Sequence, residues 1–153
     1  TPEPLPYLKR TQDWGIDISL EFSIQSPKMT EPQTIAKMNY KDLYWDVCQQ
    51  VVHHSVNGCP MRTGDLLASG TISGDTPDSR GSMIELTWGG KNPIELNDGS
   101  TRKFLQDHDT AIIRGFCQGK GYRLGFGEVR GSVLPATDQA MKWMNEKTTK
   151  TVE

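Results

Sequence analysis

Alternation of apolar and polar side chains is the dominant pattern in this chain, and it predicts a mainly β structure. The clearest example runs from Trp14 to Ile24, where every second residue is apolar and the residues between are mostly polar. A period of two is typical of a strand that buries one face. The following segment, Gln25–Gln33, contains two prolines and is predicted to be a loop.

One long helix is predicted from Asn39 to Asn57. Asn39 can cap its first turn, and Gly58 followed by Pro60 predicts where it ends. Apolar side chains recur in this segment at the three- and four-residue spacing of a buried helix face. They are Tyr40, Leu43, Tyr44, Val47, Val51 and Val52.

Short strands separated by turns are predicted in the last third of the chain. The turns are predicted at Asn97–Ser100, Asp107–Asp109 and Gly119–Gly121, because these segments are rich in Asn, Asp and Gly. The strands around them are predicted at Pro93–Leu96, Thr101–Leu105, Ala111–Cys117, Tyr122–Phe126 and Val129–Leu134. This spacing favours a β-roll, sandwich or barrel.

The segment Gly64–Trp88 contains the two residues of greatest chemical interest, Thr71 and Glu85. It predicts a strand around Leu66–Ala68, a loop rich in Gly, Asp and Pro, and a second strand at Met83–Trp88. On that second strand Glu85 would lie on the face opposite the apolar residues. Thr71 and Glu85 would then form a candidate site beside the loop, although a glutamate on an outward face is most often simply solvated.

Size, charge and cysteine content narrow the classes of function. The 153 residues make one ordinary domain, and 35% hydrophobic residues predict a modest core. A net charge of −2 gives no electrostatic reason to expect nucleic acid or an anionic membrane as partner. The three cysteines lack the spacing of a metal or disulfide motif, which favours a reducing, cytoplasmic setting.

Four other groups of residues suggest chemistry but are better explained by structural roles. His53–His54 are adjacent, so on a helix they point about 100° apart and are poorly placed to chelate one ion. Cys48 is predicted to be a small core residue. Asp107–Asp109 is expected to be a tight turn and not a cation site. Ser69 and Ser73 lack the glycine-framed pattern of a nucleophilic serine.

Long stretches of the sequence resemble the C-terminal part of the fumarylacetoacetase family. They are YWDVCQQVVHHSVNGCPMRTGDLLASGTISG, GSMIELTW, TRKFLQDHDTAIIRGFCQGKGYRLGFG and GSVLPA. The resemblance implies that residues 1–136 are the C-terminal portion of that family's catalytic domain. The fold would be mainly β with one long helix, as part of a mixed β-sandwich roll. Residues 137–153 find no counterpart and are expected to be a polar tail, with a short helix around Ala140, Met141 and Met144 followed by a disordered end.

The resemblance also implies an activity. The family hydrolyses a carbon–carbon bond of the β-diketone 4-fumarylacetoacetate to fumarate and acetoacetate, the last step of tyrosine and phenylalanine catabolism. Its members are homodimers that use a divalent cation, Mg²⁺ and/or Ca²⁺, and a histidine as base for the attacking water. Glu85 matches the glutamate that orients this pair, and Thr71 matches a threonine that contacts the substrate.

The cation ligands and catalytic histidine of the family match no residue of this chain. The chain is therefore expected to act as part of a longer polypeptide and to be inactive alone, with exposed sheet edges. Two alternatives stay open at this stage. The protein could be a related enzyme, such as an acylpyruvate hydrolase or a decarboxylase, because GDLLASGT occurs across the wider superfamily. It could also be a non-catalytic β-scaffold.

Overall fold

The computed structural model describes residues 3–143, which form two antiparallel sheets and few helices. The larger sheet has four strands in the order β2-β1-β5-β6, and the smaller one pairs β3 with β4. The strands are β1 (Ser19–Gln25), β2 (Gln33–Asn39), β3 (Ile94–Glu95), β4 (Thr101–Arg102), β5 (Thr110–Gly119) and β6 (Tyr122–Ser132). The helices are α1 (Val47–Ser55) and α2 (Met83–Leu86), with 3₁₀ turns at Pro6–Leu8, Tyr40–Asp42 and Pro77–Ser79. The predicted mainly β class is confirmed.

Strand β1 lies at the centre of the core and is shorter than predicted. Its Ile24 is fully buried and Ile112 of β5 is 1% exposed, and each such side chain contributes about 1.5–3 kcal/mol by leaving water. The strand begins at Ser19, where its pairing with β2 and with β5 also begins. Trp14 and Ile16 therefore lie beyond the sheet and are 43% and 42% exposed. The pattern alone did not predict the neighbouring strand β2.

Helix α1 is confirmed, but it starts later than the prediction of Asn39–Asn57. Asp46 is its cap: the Gln49 N–H donates to the Asp46 carboxylate at 2.9 Å, and the Asp46 N–H donates to the Gln49 side chain at 3.1 Å. This reciprocal capping box fixes the start of a helix strongly. Asn39 caps only the preceding 3₁₀ turn, by accepting from the Lys41 N–H. Gly58 ends the segment as predicted, with φ of +89°.

The predicted buried face of this helix is wrong. Its buried residue is Gln49, whose amide donates to the Leu8 carbonyl at 2.7 Å. Tyr44 and Val52, which were predicted to be buried, are 59% and 39% exposed. Cys48 is also exposed and is not the core residue that the pattern predicted.

The turn predictions in the last third are confirmed, and they set the positions of the hairpins. The Asn97–Ser100 turn joins β3 to β4, and the Gly119–Gly121 turn joins β5 to β6. The two strands predicted between Tyr122 and Leu134 are one strand, β6, whose register against β5 shifts between Arg114 and Phe116. Such a bulge lets a strand bend without ending.

Strand β6 forms an open edge of the large sheet. All of its residues are exposed, including Phe126 and Val129, as expected for an unpaired sheet edge. Beyond it, residues 138–143 are helical, which agrees with the predicted helix around Ala140 and Met141. Met144 lies outside the described residues. Within residues 3–143 no helix is both long and apolar enough to span a lipid bilayer.

Candidate functional site

The segment that contains Glu85 is a short helix, so the predicted strand at Met83–Trp88 is wrong. Ser82 caps this helix, because its hydroxyl accepts from the Glu85 N–H at 3.4 Å. The helix ends because Trp88, Gly89 and Gly90 have φ values of 50°, 65° and 83°. Three successive residues in the left-handed region cannot continue a helix, and glycine adopts this region at the least cost.

The predicted strand around Leu66–Ala68 is also absent from the described structure. This segment belongs to neither sheet, and Leu66 is 97% exposed. Its apolar residues resemble those of a buried strand, but no backbone within residues 3–143 pairs with them.

Two serine hydroxyls hold the Glu85 carboxylate. The Ser73 hydroxyl lies 3.1 Å from Oε1 and 2.9 Å from Oε2 of Glu85. The Ser82 hydroxyl donates to Oε2 at 2.7 Å. The Glu85 side chain is half-buried, at the contact between α2 and the loop that follows Thr71.

These hydrogen bonds lower the pKa of Glu85 below its ordinary value. The Ser82 hydroxyl contributes most, followed by Ser73, while partial burial opposes the shift and the charge of Arg80 adds to it. Arg80 makes no ion pair with Glu85, since its guanidinium donates to the carbonyls of Gly74 at 2.6 Å and Asp75 at 3.2 Å. Glu85 is therefore an anion at neutral pH and can accept a further hydrogen bond.

Gly81 brings the Thr71 segment and α2 together. A Cβ on Gly81 would lie 2.1 Å from the Ile72 carbonyl oxygen and 3.0 Å from Cγ2 of Thr71, so only glycine fits this contact. The Gly81 N–H also donates to the Ser73 hydroxyl at 3.0 Å. Thr71 is exposed, and within residues 3–143 no hydrogen bond joins it to Glu85. Thr71 and Glu85 thus lie in the two segments that meet at Gly81.

Two depressions of the described structure include neither residue. The larger is an open cleft of about 980 Å³ between α1 and the Leu66–Ser69 segment. The smaller is an apolar hollow of about 290 Å³ beside Ile72, lined also by Leu20 and Phe126. Neither Thr71 nor Glu85 lines these two depressions.

The histidines form no metal site with their neighbours. His53 stacks on Tyr7 with 6.3 Å between ring centroids, and His54 lies 3.2 Å from the Cys59 sulfur. Among residues 3–143 no group of three or more His, Cys, Asp or Glu could hold a metal ion. The described residues therefore do not fit the Mg²⁺ or Ca²⁺ that the family resemblance implies, and no chemical step is assigned to a cation.

The Asp107–Asp109 segment is a turn, as predicted. Asp109 is fully buried and forms a bidentate ion pair with Arg102, with distances of 2.6 Å and 2.8 Å. The Gln106 N–H also donates to Oδ2 of Asp109, at 2.8 Å. This arrangement serves the structure of the turn.

Sequence reasoning did not predict the roles of Ser73, Ser82 and Gly81. A signal for one of them was present, because Ser82 and Glu85 have the Ser-x-x-Glu spacing of a capping box. No local pattern could have indicated Ser73, which is 12 residues from Glu85.

Comparison with known proteins agrees with the resemblance noted in the sequence. The family described as "Fumarylacetoacetate (FAA) hydrolase C-terminal" matches residues 10–134. The chain is 55% identical over 135 residues to the fumarylacetoacetase of Homo sapiens, covering 88% of this chain and 32% of that protein. It is 48% identical over 137 residues to the fumarylacetoacetase of Dictyostelium discoideum, with the same coverage of 88% and 32%. The chain thus spans about a third of the length of these relatives. Given this match and the mainly β fold, the chain belongs to the fumarylacetoacetate hydrolase family, whose C-terminal domain it matches.

Proposed function

We propose that this chain contributes Glu85 and Thr71 to an enzyme that hydrolyses 4-fumarylacetoacetate to fumarate and acetoacetate. The proposal is supported by relatives from Homo sapiens and Dictyostelium discoideum that are both named fumarylacetoacetase. The shared name favours this reaction over those of acylpyruvate hydrolases and decarboxylases, and over a scaffold role. The chain corresponds to 32% of these relatives, so it acts as one part of the catalytic unit.

The observation that carries the proposal is the hydrogen bonding of Glu85. Its carboxylate accepts from two neutral hydroxyls and forms no ion pair within residues 3–143, so its negative charge is not neutralised. Such an anion can accept the N–H of an imidazole and stabilise the imidazolium that forms when the imidazole takes a proton from water. In the proposed role Glu85 orients a histidine supplied from outside residues 3–143.

Thr71 is proposed to contact the substrate. Its side chain is exposed, and its hydroxyl makes no hydrogen bond within residues 3–143. The hydroxyl is therefore available to donate to a carbonyl oxygen of the diketone.

The proposal includes three further features, of which the family resemblance implies the first two and the cysteine content favours the third. They are a divalent cation, Mg²⁺ and/or Ca²⁺, a homodimeric assembly and a cytoplasmic setting. The cation's ligands would come from outside residues 3–143, because the described residues contain no cluster that fits it. The roles of Glu85 and Thr71 do not depend on which cation is bound.

A chimeric enzyme tests the proposal. The 135 aligned residues of the Homo sapiens fumarylacetoacetase are replaced by the corresponding residues of this chain. We expect the chimera to release fumarate and acetoacetate from 4-fumarylacetoacetate, as measured by chromatography, and the 153-residue chain alone to release neither. An acylpyruvate is assayed in parallel.

Three results would contradict the proposal. One is a folded chimera that leaves 4-fumarylacetoacetate intact, and another is a chimera that prefers the acylpyruvate. The third is efficient hydrolysis by the chain alone, which would show that the catalytic base and the cation ligands lie within it. The unmodified human enzyme is the positive control.

A further inference from the structure

The two oxygens of the Glu85 carboxylate have unequal environments. Oε2 accepts from Ser82 at 2.7 Å and from Ser73 at 2.9 Å, whereas Oε1 has only the longer 3.1 Å contact with Ser73. A carboxylate oxygen can accept about two hydrogen bonds. Within residues 3–143, Oε1 therefore keeps the larger free capacity to accept a further donor.

The direction of both serine hydrogen bonds is fixed by Glu85, because an ionised carboxylate can only accept. The Ser73 oxygen accepts from the Gly81 N–H at 3.0 Å, and the Ser82 oxygen accepts from the Glu85 N–H at 3.4 Å. A hydroxyl has one proton to donate. Each oxygen accepts from an N–H, and the ionised carboxylate has no proton to give, so each serine proton is directed to the carboxylate. Both serines are thus donors to Glu85, and they favour its ionised form.

We propose that Ser73 and Ser82 are positioning residues that fix the Glu85 carboxylate. They leave Oε1 as the oxygen that accepts the N–H of the histidine acting as base. This inference rests on the proposed function of Glu85. Ser82 has a second role as the cap of α2, so its loss would also weaken the helix. Ser73 lies outside the helices and strands and caps none of them, but its oxygen also accepts from the Gly81 N–H, so Ser73→Ala has to be compared with a variant that keeps the hydroxyl.

Arg80 is the charged group that also acts on Glu85. Its guanidinium is held by the carbonyls of Gly74 and Asp75. Because these contacts do not involve Ser73, replacing Ser73 leaves the charge of Arg80 in place. A change in the titration of Glu85 on replacing Ser73 would thus report the lost hydroxyl.

The test compares Ser73→Ala with Ser73→Thr, which keeps a hydroxyl, and with Ser69→Ala in the same loop. Among the described residues the Ser69 hydroxyl bonds only the Gly70 carbonyl. The pKa of Glu85 is measured by ¹³C NMR titration of the 153-residue chain, and kcat and KM are measured in the chimera. We expect Ser73→Ala to raise the pKa of Glu85 and to lower kcat by roughly tenfold to a hundredfold with little change in KM. The acidic limb of the pH–kcat profile should move to higher pH, because a carboxylate with a higher pKa is protonated sooner as the pH falls.

Ser73→Thr should restore most of kcat and of the pKa, and Ser69→Ala should match the wild type. An unchanged pKa and kcat in Ser73→Ala would overturn the inference. Equal losses in Ser73→Ala and Ser73→Thr, with an unchanged pKa of Glu85, would also overturn it by indicating a structural role. Failure of the proposed function would look different: Glu85→Gln would then retain activity, whereas the NMR titration would still report whether Ser73 holds the carboxylate.

Discussion

Asp109 and Glu85 are both carboxylates whose pKa lies below the ordinary value, but their surroundings differ. Asp109 is fully buried against Arg102, which supplies two N–H donors at 2.6 Å and 2.8 Å. Burial on its own would raise the pKa of Asp109, and the hydrogen bonds of Arg102 and Gln106 outweigh it. Glu85 is half-buried, and its hydrogen-bond donors are uncharged hydroxyls.

The difference separates a carboxylate that stabilises the fold from one that is available for chemistry. The charge of Asp109 is neutralised by Arg102, and its oxygens are enclosed by the turn. The charge of Glu85 is stabilised without being neutralised, so it can still act on a second group. A lowered pKa therefore does not by itself identify a functional carboxylate, and whether the donors neutralise its charge has to be considered as well.

The largest expected effect is the loss of stability in Asp109→Asn. This change leaves the buried Arg102 without its counter-charge, and breaking a buried ion pair in this way costs about 3–5 kcal/mol. The free energy of unfolding, measured by urea denaturation, should fall by that amount. Asp107→Asn, at an exposed residue of the same turn, is the control and should change it by less than about 0.5 kcal/mol. A loss below about 1 kcal/mol in Asp109→Asn would show that the ion pair with Arg102 does not set Asp109 apart from Glu85 as a stabilising carboxylate.

Glu85→Gln should do the opposite, by reducing activity while preserving the fold. In the chimera we expect kcat to fall by about a hundredfold, equivalent to about 2.7 kcal/mol in the barrier, because glutamine cannot stabilise a positively charged imidazole. The thermal midpoint of the chimera should change little. Glu95→Gln, on an exposed residue of β3, is the matched control and should leave kcat unchanged. Near-normal turnover of Glu85→Gln would refute the assigned role.

Asp98 tests whether a carboxylate held by hydroxyl donors can stabilise the fold without a role in catalysis. Hydrogen bonds from Ser100 and Ser26 lower its pKa from 3.8 to about 2. A lowered pKa gives stability that is complete above the unfolded pKa of 3.8 and is lost as the pH falls towards 2. The free energy of unfolding, measured as the pH is lowered from 3.8 to about 2, should therefore fall more in the wild type than in Asp98→Asn. Equal losses in the two proteins would show that the turn does not hold this carboxylate.

The smallest expected effect concerns His108, which lies beside Asp109 and has φ of 70°. This left-handed conformation costs a residue with a side chain about 1–2 kcal/mol, and the greater freedom of glycine in the unfolded chain offsets part of the gain. His108→Gly should thus raise the free energy of unfolding by up to about 1 kcal/mol. Asp107→Gly, at a residue without positive φ, should lower it by about 0.5–1 kcal/mol. If both changes raised the free energy of unfolding, backbone strain at His108 would not be the cause of that rise.

The sequence predicted those parts of the fold that depend on neighbouring residues. The turns at Asn97–Ser100 and Gly119–Gly121 follow from the backbone preferences of Asn, Asp and Gly. The period of two predicted a strand at β1, although its burial does not alternate, since Ser23 is buried beside Ile24. The segment Met83–Trp88 was misinterpreted because six residues are too few to separate alternation from a short helix. The Ser82–Glu85 spacing and Gly89 would have favoured the helix.

The candidate site was less predictable, because its contacts join distant parts of the chain. Glu85 and Thr71 were identified through a family resemblance, and their roles stay predictions. The contact of Ser73 with Glu85 and the fit of Gly81 against Ile72 depend on how a loop folds back on itself. Neither contact has a signature in the order of the residues.

Hydrogen bonds close both ends of the loop between Ser73 and Gly81. The Gly74 N–H donates to the Ser79 carbonyl at 2.9 Å, and the Gly81 N–H donates to Ser73 at 3.0 Å, so both ends of the segment 75–80 are fastened. Lengthening a closed surface loop is inexpensive, since each doubling of its length costs only about 0.6 kcal/mol. Insertions between Asp75 and Pro77 would interrupt the cap that Thr76 and Ser79 form, but they should leave both of these fastening hydrogen bonds in place. This loop is therefore a position at which a longer segment could be accommodated next to Glu85.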